Sequence, residues 1–268
     1  MNKPLAGISI LVTRPAHQAG DLAARIHAAG GTPILFPVLE ILDTKNQRSL
    51  LDLLARLNEF DLAIFISPNA VNKTMSLICA KRTWPPKLKV AAVGQGTARE
   101  LRRFGVDEVI APTLRFDSEG LLDMDELQQV DSKRIVIFRG DNGRELLGEE
   151  LLKRGATLEY AECYRRVKPN TDTAPLLSAW ASNEMNAITI TSSEGLRNLC
   201  DMVGESGQAW LKKTPLFVSH ERIARNAKKI GLTQVILTAA GDEGLLQGLL
   251  NYFQSETRGE GCFPQRTH

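Results

Sequence analysis

An internal repeat at an offset of about 125 residues runs through this chain and limits the folds that it can adopt. The segment Ile10–Arg14 matches Ile135–Arg139, and the Gly30 that follows the first segment has its counterpart in Gly155. Further segments keep the same spacing to within a residue across nearly the whole chain. Because a chance resemblance would not keep register through every loop, the repeat predicts two copies of one unit of about five strands.

Short β-branched segments alternate with amphipathic segments along the chain, and the short ones are predicted strands. They are Ile8–Thr13, Thr32–Phe36, Leu62–Ile66, Val90–Val93, Val109–Ala111, Ile135–Phe138, Ala156–Tyr160, Ala187–Thr191, Leu216–Ser219 and Val235–Thr238. Continuous apolar runs of this length are typical of strands buried on both faces of a parallel sheet. Several helical patterns end at a glycine, the usual helix stop: Gly30, Gly105, Gly155 and Gly231. The pattern predicts the α/β class with doubly wound parallel sheets.

Composition and spacing exclude several kinds of function. The net charge of +2 over 268 residues argues against a strongly basic nucleic-acid binder. No apolar run approaches the ~18 residues of a membrane helix, and the first residues lack the pattern of a secretory signal, so we expect a cytoplasmic protein. The four cysteines and four histidines are scattered without metal-ligand spacing. Gly94-Gln95-Gly96-Thr97 lacks the third glycine of a dinucleotide fingerprint, and no P-loop motif occurs.

The loops that follow the predicted strands hold the candidate ligand-binding residues, because ligands of open parallel sheets lie beyond the carboxyl ends of the strands. These candidates are Arg14, Ser67, Asn69, Gly94, Thr97, Arg139, Thr191, Ser192, Ser193, Ser219 and His220. Hydroxyl groups, arginines and helix N-termini suit an anionic ligand. The alternative is purely structural: serine, threonine and asparagine cap helices at such positions, and each arginine can form a local salt bridge.

Several segments together resemble the uroporphyrinogen-III synthase family. They read ILVTRPAHQAGDLAARIHAAGGTPILFPVLEI, FISPNAVN, VAAVGQGTARELRRFGV, RIVIFRGDNGRELLGEELLKRGATLEYAECYRRV and ITSSEGLRNL. Each motif is weak alone, but their order and spacing are specific, and the resemblance extends from about residue 8 to residue 249.

The resemblance implies two flavodoxin-like α/β domains joined by a two-stranded connector. One domain would hold residues 1–37 and 170–268, and the other residues 43–160. Residues 38–42 and 161–169 would be the connectors, and we expect 256–268 to be a disordered tail. From the residues alone, two contiguous repeat domains remain an open alternative.

The resemblance also implies a reaction: linear hydroxymethylbilane loses water and closes to uroporphyrinogen III with ring D inverted, without metal or cofactor. Tyr164 matches the tyrosine of the family's Val-Tyr-Arg-like segment and would be the catalytic proton donor, since a phenol is protonated at neutral pH. The repeat partner of Tyr164 is Leu39, so an aliphatic residue is tolerated at this position and the phenol calls for a further explanation. Packing of the ring on the connector is the structural alternative. We expect a monomer that receives hydroxymethylbilane in a transient handover from hydroxymethylbilane synthase and binds neither nucleic acid nor membranes.

Two other classes share the predicted architecture. A noncatalytic bilobal small-molecule binding module would use the same loops, with Tyr164 as a packing residue. A nucleotide-sugar glycosyltransferase would need an acidic nucleotide or metal motif, which the sequence does not contain. An assay of the porphyrin isomer formed from hydroxymethylbilane separates the three.

Overall fold

The computed structural model describes residues 3–80, 83–141 and 145–259. The chain divides into two compact units, Met1–Glu40 with Val167–His268 and Ile41–Arg166. Each unit holds a sheet of five strands.

The first unit is a parallel sheet covered by helices. Its elements are β1 (Ser9–Val12), α1 (Ala16–Ala28), β2 (Thr32–Leu35), α8 (Ala174–Ala181), β8 (Ala187–Ile190), α9 (Ser193–Lys213), β9 (Leu216–Val218), α10 (Glu221–Lys229), β10 (Val235–Leu237) and α11 (Gly241–Gly259). The strand order is β10-β9-β8-β1-β2, and the neighbouring strands pair in parallel. Ile10 and Val12 pack into one buried cluster and Leu11 into another, so β1 is buried on both faces.

The second unit is also of the α/β class and contains the other sheet. Its elements are β3 (Glu40–Asp43), α2 (Gln47–Ala55), a 3-10 turn (Leu57–Glu59), β4 (Leu62–Phe65), α3 (Pro68–Cys79), β5 (Lys89–Ala92), α4 (Gln95–Arg103), α5 (Ser118–Leu122), α6 (Asp125–Gln128), β6 (Arg134–Gly140), α7 (Leu146–Lys153) and β7 (Thr157–Val167). The strand order is β3-β7-β6-β4-β5, and β5, β4, β6 and β7 pair in parallel.

Nine of the ten predicted strands are present in the structure, and the exception is Val109–Ala111. That segment forms only an isolated parallel bridge between Ile110 and Ala91, because too few of its residues pair with β5 to make a strand. The fifth strand of the second sheet is instead β3, which is hydrogen-bonded to β7. Residues 40–42 and 161–167, which lie in the predicted connectors 38–42 and 161–169, thus belong to this sheet.

The helix stops occur where the glycines predict them. Gly30, Gly105, Gly155 and Gly231 all adopt positive φ angles between 80° and 93°, which L side chains rarely adopt. Helix α11 continues to Gly259, past the predicted start of a disordered tail at residue 256, and residues 260–268 lie outside the described part of the chain. In the described ranges, no helix has the length and apolarity needed to cross a membrane.

Candidate active site

In the second unit, the candidate residues lie where parallel strands end. Ser67 follows β4 and caps α3, and its hydroxyl oxygen accepts a hydrogen bond from the Ala70 amide at 3.2 Å. Asn69 lies in the first turn of α3. Gly94 caps α4 after β5, and Thr97 is buried in the first turn of that helix. The amides of two helix N-termini therefore flank one edge of the sheet, which favours an anion there.

The first unit has a corresponding edge. Thr191 and Ser192 follow β8, and the Ser192 hydroxyl oxygen caps α9 by accepting from the Gly195 amide at 2.9 Å. Ser193, the first residue of α9, contacts α10: the side-chain amide of Asn226 donates to its hydroxyl oxygen at 3.1 Å.

Ser219 and His220 complete this edge after β9. Ser219 is buried, whereas His220 is exposed and caps α10 through its backbone. Four of the candidates thus occupy helix N-cap positions, as the structural alternative predicts. Ser67 and Ser192 cap with a side-chain hydrogen bond, whereas Gly94 and His220 hold the cap position without one.

Both candidate arginines are already paired with a carboxylate of their own unit. Arg14, after β1, forms a salt bridge with Asp242 in the first turn of α11. Arg139, near the end of β6, donates from both terminal nitrogens to one oxygen of Glu145, at 3.1 Å each. The local salt bridges that the sequence allowed as an alternative are therefore present, and a ligand carboxylate would compete with Asp242 and Glu145.

Arg139 has an aromatic neighbour and a shared carboxylate partner that the sequence does not indicate. The residue is only 8% exposed, and its guanidinium carbon lies 4.2 Å from the centre of the Tyr160 ring. The Tyr160 hydroxyl donates to the second oxygen of Glu145 at 3.1 Å. The hydrogen bonds from Arg139, which have the larger effect, and the bond from Tyr160 lower the pKa of Glu145 below its ordinary value. Among the described residues the buried Nε atom of Arg139 has no hydrogen-bond partner.

Tyr164 is fully buried, and its side chain reaches the core because the pairing of β7 with β6 is irregular next to it. In the pairing of β6 with β7, Arg139 lies opposite Glu162 but Gly140 lies opposite Tyr164, so the register shifts by one residue. Because side chains alternate along a regular strand, this shift lets Cys163 and Tyr164 point into the same buried cluster.

The hydroxyl group of Tyr164 contacts two polar groups of its own unit. Its oxygen lies 3.0 Å from the hydroxyl oxygen of Ser67, and the Arg166 guanidinium donates to it at 3.2 Å. The Arg166 guanidinium carbon also lies 5.7 Å from the centre of the Tyr164 ring. The structure thus joins the predicted catalytic residue to Ser67, one of the predicted binding residues.

Sequence reasoning missed four residues that complete these contacts: Glu145, Tyr160, Cys163 and Arg166. Glu145 immediately precedes α7 and is six positions after Arg139, which is a weak signal for a local ion pair. Arg166 is two positions after Tyr164, the spacing at which side chains of one strand share a face. The positions of Tyr160 and Cys163 depend on the pairing of β6 with β7, which no local pattern reveals.

Cys163 is a buried thiol in the same hydrophobic cluster as Tyr164. The Thr74 hydroxyl donates to its sulfur at 3.0 Å, and burial raises the pKa of the thiol to about 12. It is therefore protonated and unsuited to act as a nucleophile at neutral pH. Among the residues that the structure describes, no group of three or more His, Cys, Asp or Glu side chains could hold a metal ion.

Comparisons with known proteins agree on one family. The model of the uroporphyrinogen-III synthase family matches residues 20–247. Uroporphyrinogen-III synthase of Escherichia coli K12 is 34% identical over 245 residues, which are 90% of this chain and all of the relative. The enzyme of Salmonella typhimurium LT2 matches with the same identity and coverage.

Solved structures are similar in fold. A mutant uroporphyrinogen III synthase of Thermus thermophilus matches with a TM-score of 0.63 at 17% identity, covering 92% of this chain and 99% of that one. Uroporphyrinogen-III synthetase of Helicobacter pylori 26695 matches with a TM-score of 0.53 at 15% identity, covering 91% and 99% of the two chains.

Proposed function

The chain belongs to the uroporphyrinogen-III synthase family, whose members are enzymes of tetrapyrrole biosynthesis, and we propose that it carries out their reaction with residues at the strand ends of its two units. The reaction converts linear hydroxymethylbilane into uroporphyrinogen III, with loss of water and inversion of ring D. The substrate carries eight carboxylates, and its unassisted closure gives the isomer in which ring D is not inverted. The enzyme therefore has to hold one folded conformation of the chain of pyrroles.

We propose that the substrate carboxylates bind to the amides and hydroxyls at the strand ends and to the two arginines. In support, helices α3, α4, α9 and α10 begin at the caps Ser67, Gly94, Ser192 and His220. Arg14 and Arg139 each lie at or near the carboxyl end of a parallel strand. Asn69, Thr97, Thr191, Ser193 and Ser219 add polar groups at the same edges. Because carboxylates form strong hydrogen bonds with cations and backbone amides, such edges suit a polyanionic substrate.

Tyr164 is proposed as the source of the proton that the departing hydroxyl group requires. Loss of water from the hydroxymethyl group leaves an azafulvene cation, which ring D attacks through its substituted carbon to give a spiro intermediate. That intermediate fragments and closes again with ring D inverted. The observation that carries the role of Tyr164 is the position of its hydroxyl, which is buried between Ser67 and Arg166 at the sheet edge where substrate is proposed to bind.

We also propose that the two units are copies of one ancestral, flavodoxin-like domain. In support, three of the four strand adjacencies in each sheet have a counterpart about 125 residues away in the other: β1–β2 with β6–β7, β1–β8 with β6–β4, and β8–β9 with β4–β5. The proposed domains remain 1–37 with 170–268 and 43–160, joined by 38–42 and 161–169.

The cellular setting is proposed as well. We propose a cytoplasmic monomer that receives hydroxymethylbilane from hydroxymethylbilane synthase, because a substrate that cyclises unaided benefits from a short transfer. Sedimentation of the purified protein alone and with that enzyme tests both the monomer and the contact.

The function is tested by supplying the purified protein with enzymatically generated hydroxymethylbilane and separating the porphyrin isomers after oxidation. We expect uroporphyrinogen III in excess over isomer I, in buffer that contains EDTA and no added cofactor. Formation of isomer I alone, at the uncatalysed rate, would favour a binding module. Activity abolished by EDTA and restored by a divalent ion would overturn the cofactor-free mechanism.

A further inference from the structure

The buried hydroxyl of Tyr164 reaches the protein surface through Ser67. Tyr164 is 0% exposed, whereas Ser67 is partly exposed at the start of α3, and their oxygens are 3.0 Å apart. A substrate at the strand ends could touch Ser67 without any movement of the protein, but it could not touch the phenol. A proton that leaves Tyr164 in this conformation therefore has to pass through a neighbouring group.

The hydrogen-bond pattern sets the direction of that transfer. The Arg166 guanidinium donates to the phenol oxygen and has no acceptor atom, so of the two groups that contact Tyr164 only Ser67 can receive its proton. The Ser67 oxygen also accepts from the Ala70 amide. With both of these bonds made, the hydroxyl hydrogen of Ser67 is used by neither Tyr164 nor Ala70 and can point towards the surface.

From this geometry we propose that Ser67 is the catalytic residue that touches the hydroxymethyl group of the substrate, and that Tyr164 acts through it as the proton source. The proposal rests on the function proposed above. It assigns Ser67 a role in proton transfer in addition to the helix cap that the sequence predicts.

Ser67 gives its proton to the hydroxymethyl oxygen, the carbon–oxygen bond breaks, and water leaves with the bonding electron pair. Tyr164 gives its proton to the Ser67 oxygen, and the Arg166 guanidinium lies against the negative charge left on the phenol oxygen. When the macrocycle has closed, it releases one proton, which restores Tyr164.

A double-mutant cycle tests this arrangement. We expect Ser67→Ala and Tyr164→Phe each to slow the single-turnover formation of uroporphyrinogen III by about 10–100-fold, at or below the low end for a lost general acid because water can substitute. Two groups in one relay are not independent, so the double variant should be at most about 3-fold slower than Ser67→Ala. Ser67→Thr keeps a hydroxyl and should stay within about 3-fold of wild type.

The loss of the helix cap needs its own control, and Asn46→Ala provides it. Asn46 caps α2 in the same unit by accepting from the Ser49 amide at 3.1 Å and belongs to no proposed site. Its variant should lose the stability that a helix cap provides, as measured by thermal unfolding, and keep the wild-type rate. Ser67→Ala should be destabilised further, because it also loses the hydrogen bond with the buried Tyr164.

The solvent isotope effect distinguishes proton transfer from a structural role. With two protons in motion, the rate of the wild-type enzyme should depend on the fraction of D2O along a curve, and Tyr164→Phe should give a straight line. Rate losses that multiply in the double variant, or a wild-type rate in Ser67→Ala, would overturn the relay while leaving the proposed function intact. A wild-type protein that forms no uroporphyrinogen III would overturn the function and the relay together.

Discussion

The Tyr164 ring lies against the backbone of Gly140, where a Cβ atom would be 2.6 Å from two ring carbons. Gly140 is the residue at which the pairing of β6 with β7 shifts register. The shift and the absence of a side chain together make room for the ring, so the position of the proposed proton source depends on a glycine in the neighbouring strand.

We expect Gly140→Ala to displace the Tyr164 ring and to lower the free energy of unfolding by about 1–3 kcal/mol, the usual cost of overpacking a core. The rate of uroporphyrinogen III formation should fall with it. Gly20→Ala is the matched control, because a Cβ there meets nothing within 4 Å and Gly20 lies within helix α1. That change should raise stability by about 0.5–1 kcal/mol and leave the rate unchanged. Equal activity in the two variants would show that the ring position does not matter.

Tyr164→Phe tests the phenol without disturbing the ring. The variant loses hydrogen bonds to Ser67 and Arg166, so its free energy of unfolding should fall by about 1 kcal/mol, measured by urea denaturation. The product should still be mainly isomer III, because the whole set of binding groups fixes the substrate conformation. Turnover retained but shifted to isomer I would instead make Tyr164 a positioning residue.

The sequence predicts the strands and strand ends of this fold well, because these features are local. A short apolar run predicts β4, and the capping role left open for Ser67 at its end is the one the structure shows; the same holds for β8 and Ser192. The glycine stops are equally local, since a positive φ angle depends on the residue itself.

The contacts around Tyr164 and Arg139 could not be predicted in the same way. The burial of Tyr164 depends on a one-residue shift against β6, which is set by tertiary packing rather than by composition. Val109–Ala111 has the composition of a strand, but Ile110 alone forms a bridge. Local pattern thus locates the candidate residues, and long-range pairing decides which of them touch.

We expect the affinity of the first unit for an anionic ligand to fall as the salt concentration rises, with Arg14 as a main contributor. Arg14 is mostly buried beside Asp242, whereas Arg25 forms the more exposed pair with Glu243 at 2.5 Å. The affinity for the oxidised product, uroporphyrin III, should fall as salt rises, because ions screen charges over ~8 Å at physiological strength. Arg14→Gln should weaken binding and flatten this dependence, while Arg25→Gln should match wild type. Binding measured by fluorescence quenching at low and high salt decides, and identical slopes in all three proteins would argue against a carboxylate contact at Arg14.

Thiol reactivity should follow burial. Cys79 is exposed, Cys163 is buried with its pKa raised to about 12, and burial also raises the pKa of the half-buried Cys200. Since the thiolate is the reactive form, iodoacetamide should, among these three cysteines, label Cys79 fastest, Cys200 more slowly, and Cys163 only after unfolding. Peptide mass spectrometry of the native and the urea-treated protein measures this order. Rapid native labelling of Cys163 would mean that the core around Tyr164 opens readily.

The carboxylate of Glu145 should titrate below its ordinary range, because Arg139 and Tyr160 both donate hydrogen bonds to its charged form. A group whose pKa is lowered by folding stabilises the folded state at pH values above its unfolded pKa of about 4.3. That contribution is lost as the pH falls through the lower pKa of the folded state. The stability difference between wild type and Glu145→Gln should therefore be constant near neutral pH and change only below about pH 5, where unfolded Glu145 begins to bind a proton.

Tyr160→Phe separates the two donors to Glu145. It keeps the ring beneath the Arg139 guanidinium but removes the hydroxyl that donates to Glu145, so the pKa of Glu145 should rise part of the way towards its ordinary value. It should remain below that value because the hydrogen bond from Arg139, the larger cause, persists. Carbon-13 NMR titration of the Glu145 carboxyl group measures both values. An unchanged titration in Tyr160→Phe would mean that the hydroxyl of Tyr160 points elsewhere in solution, leaving Arg139 as the partner that orients Glu145.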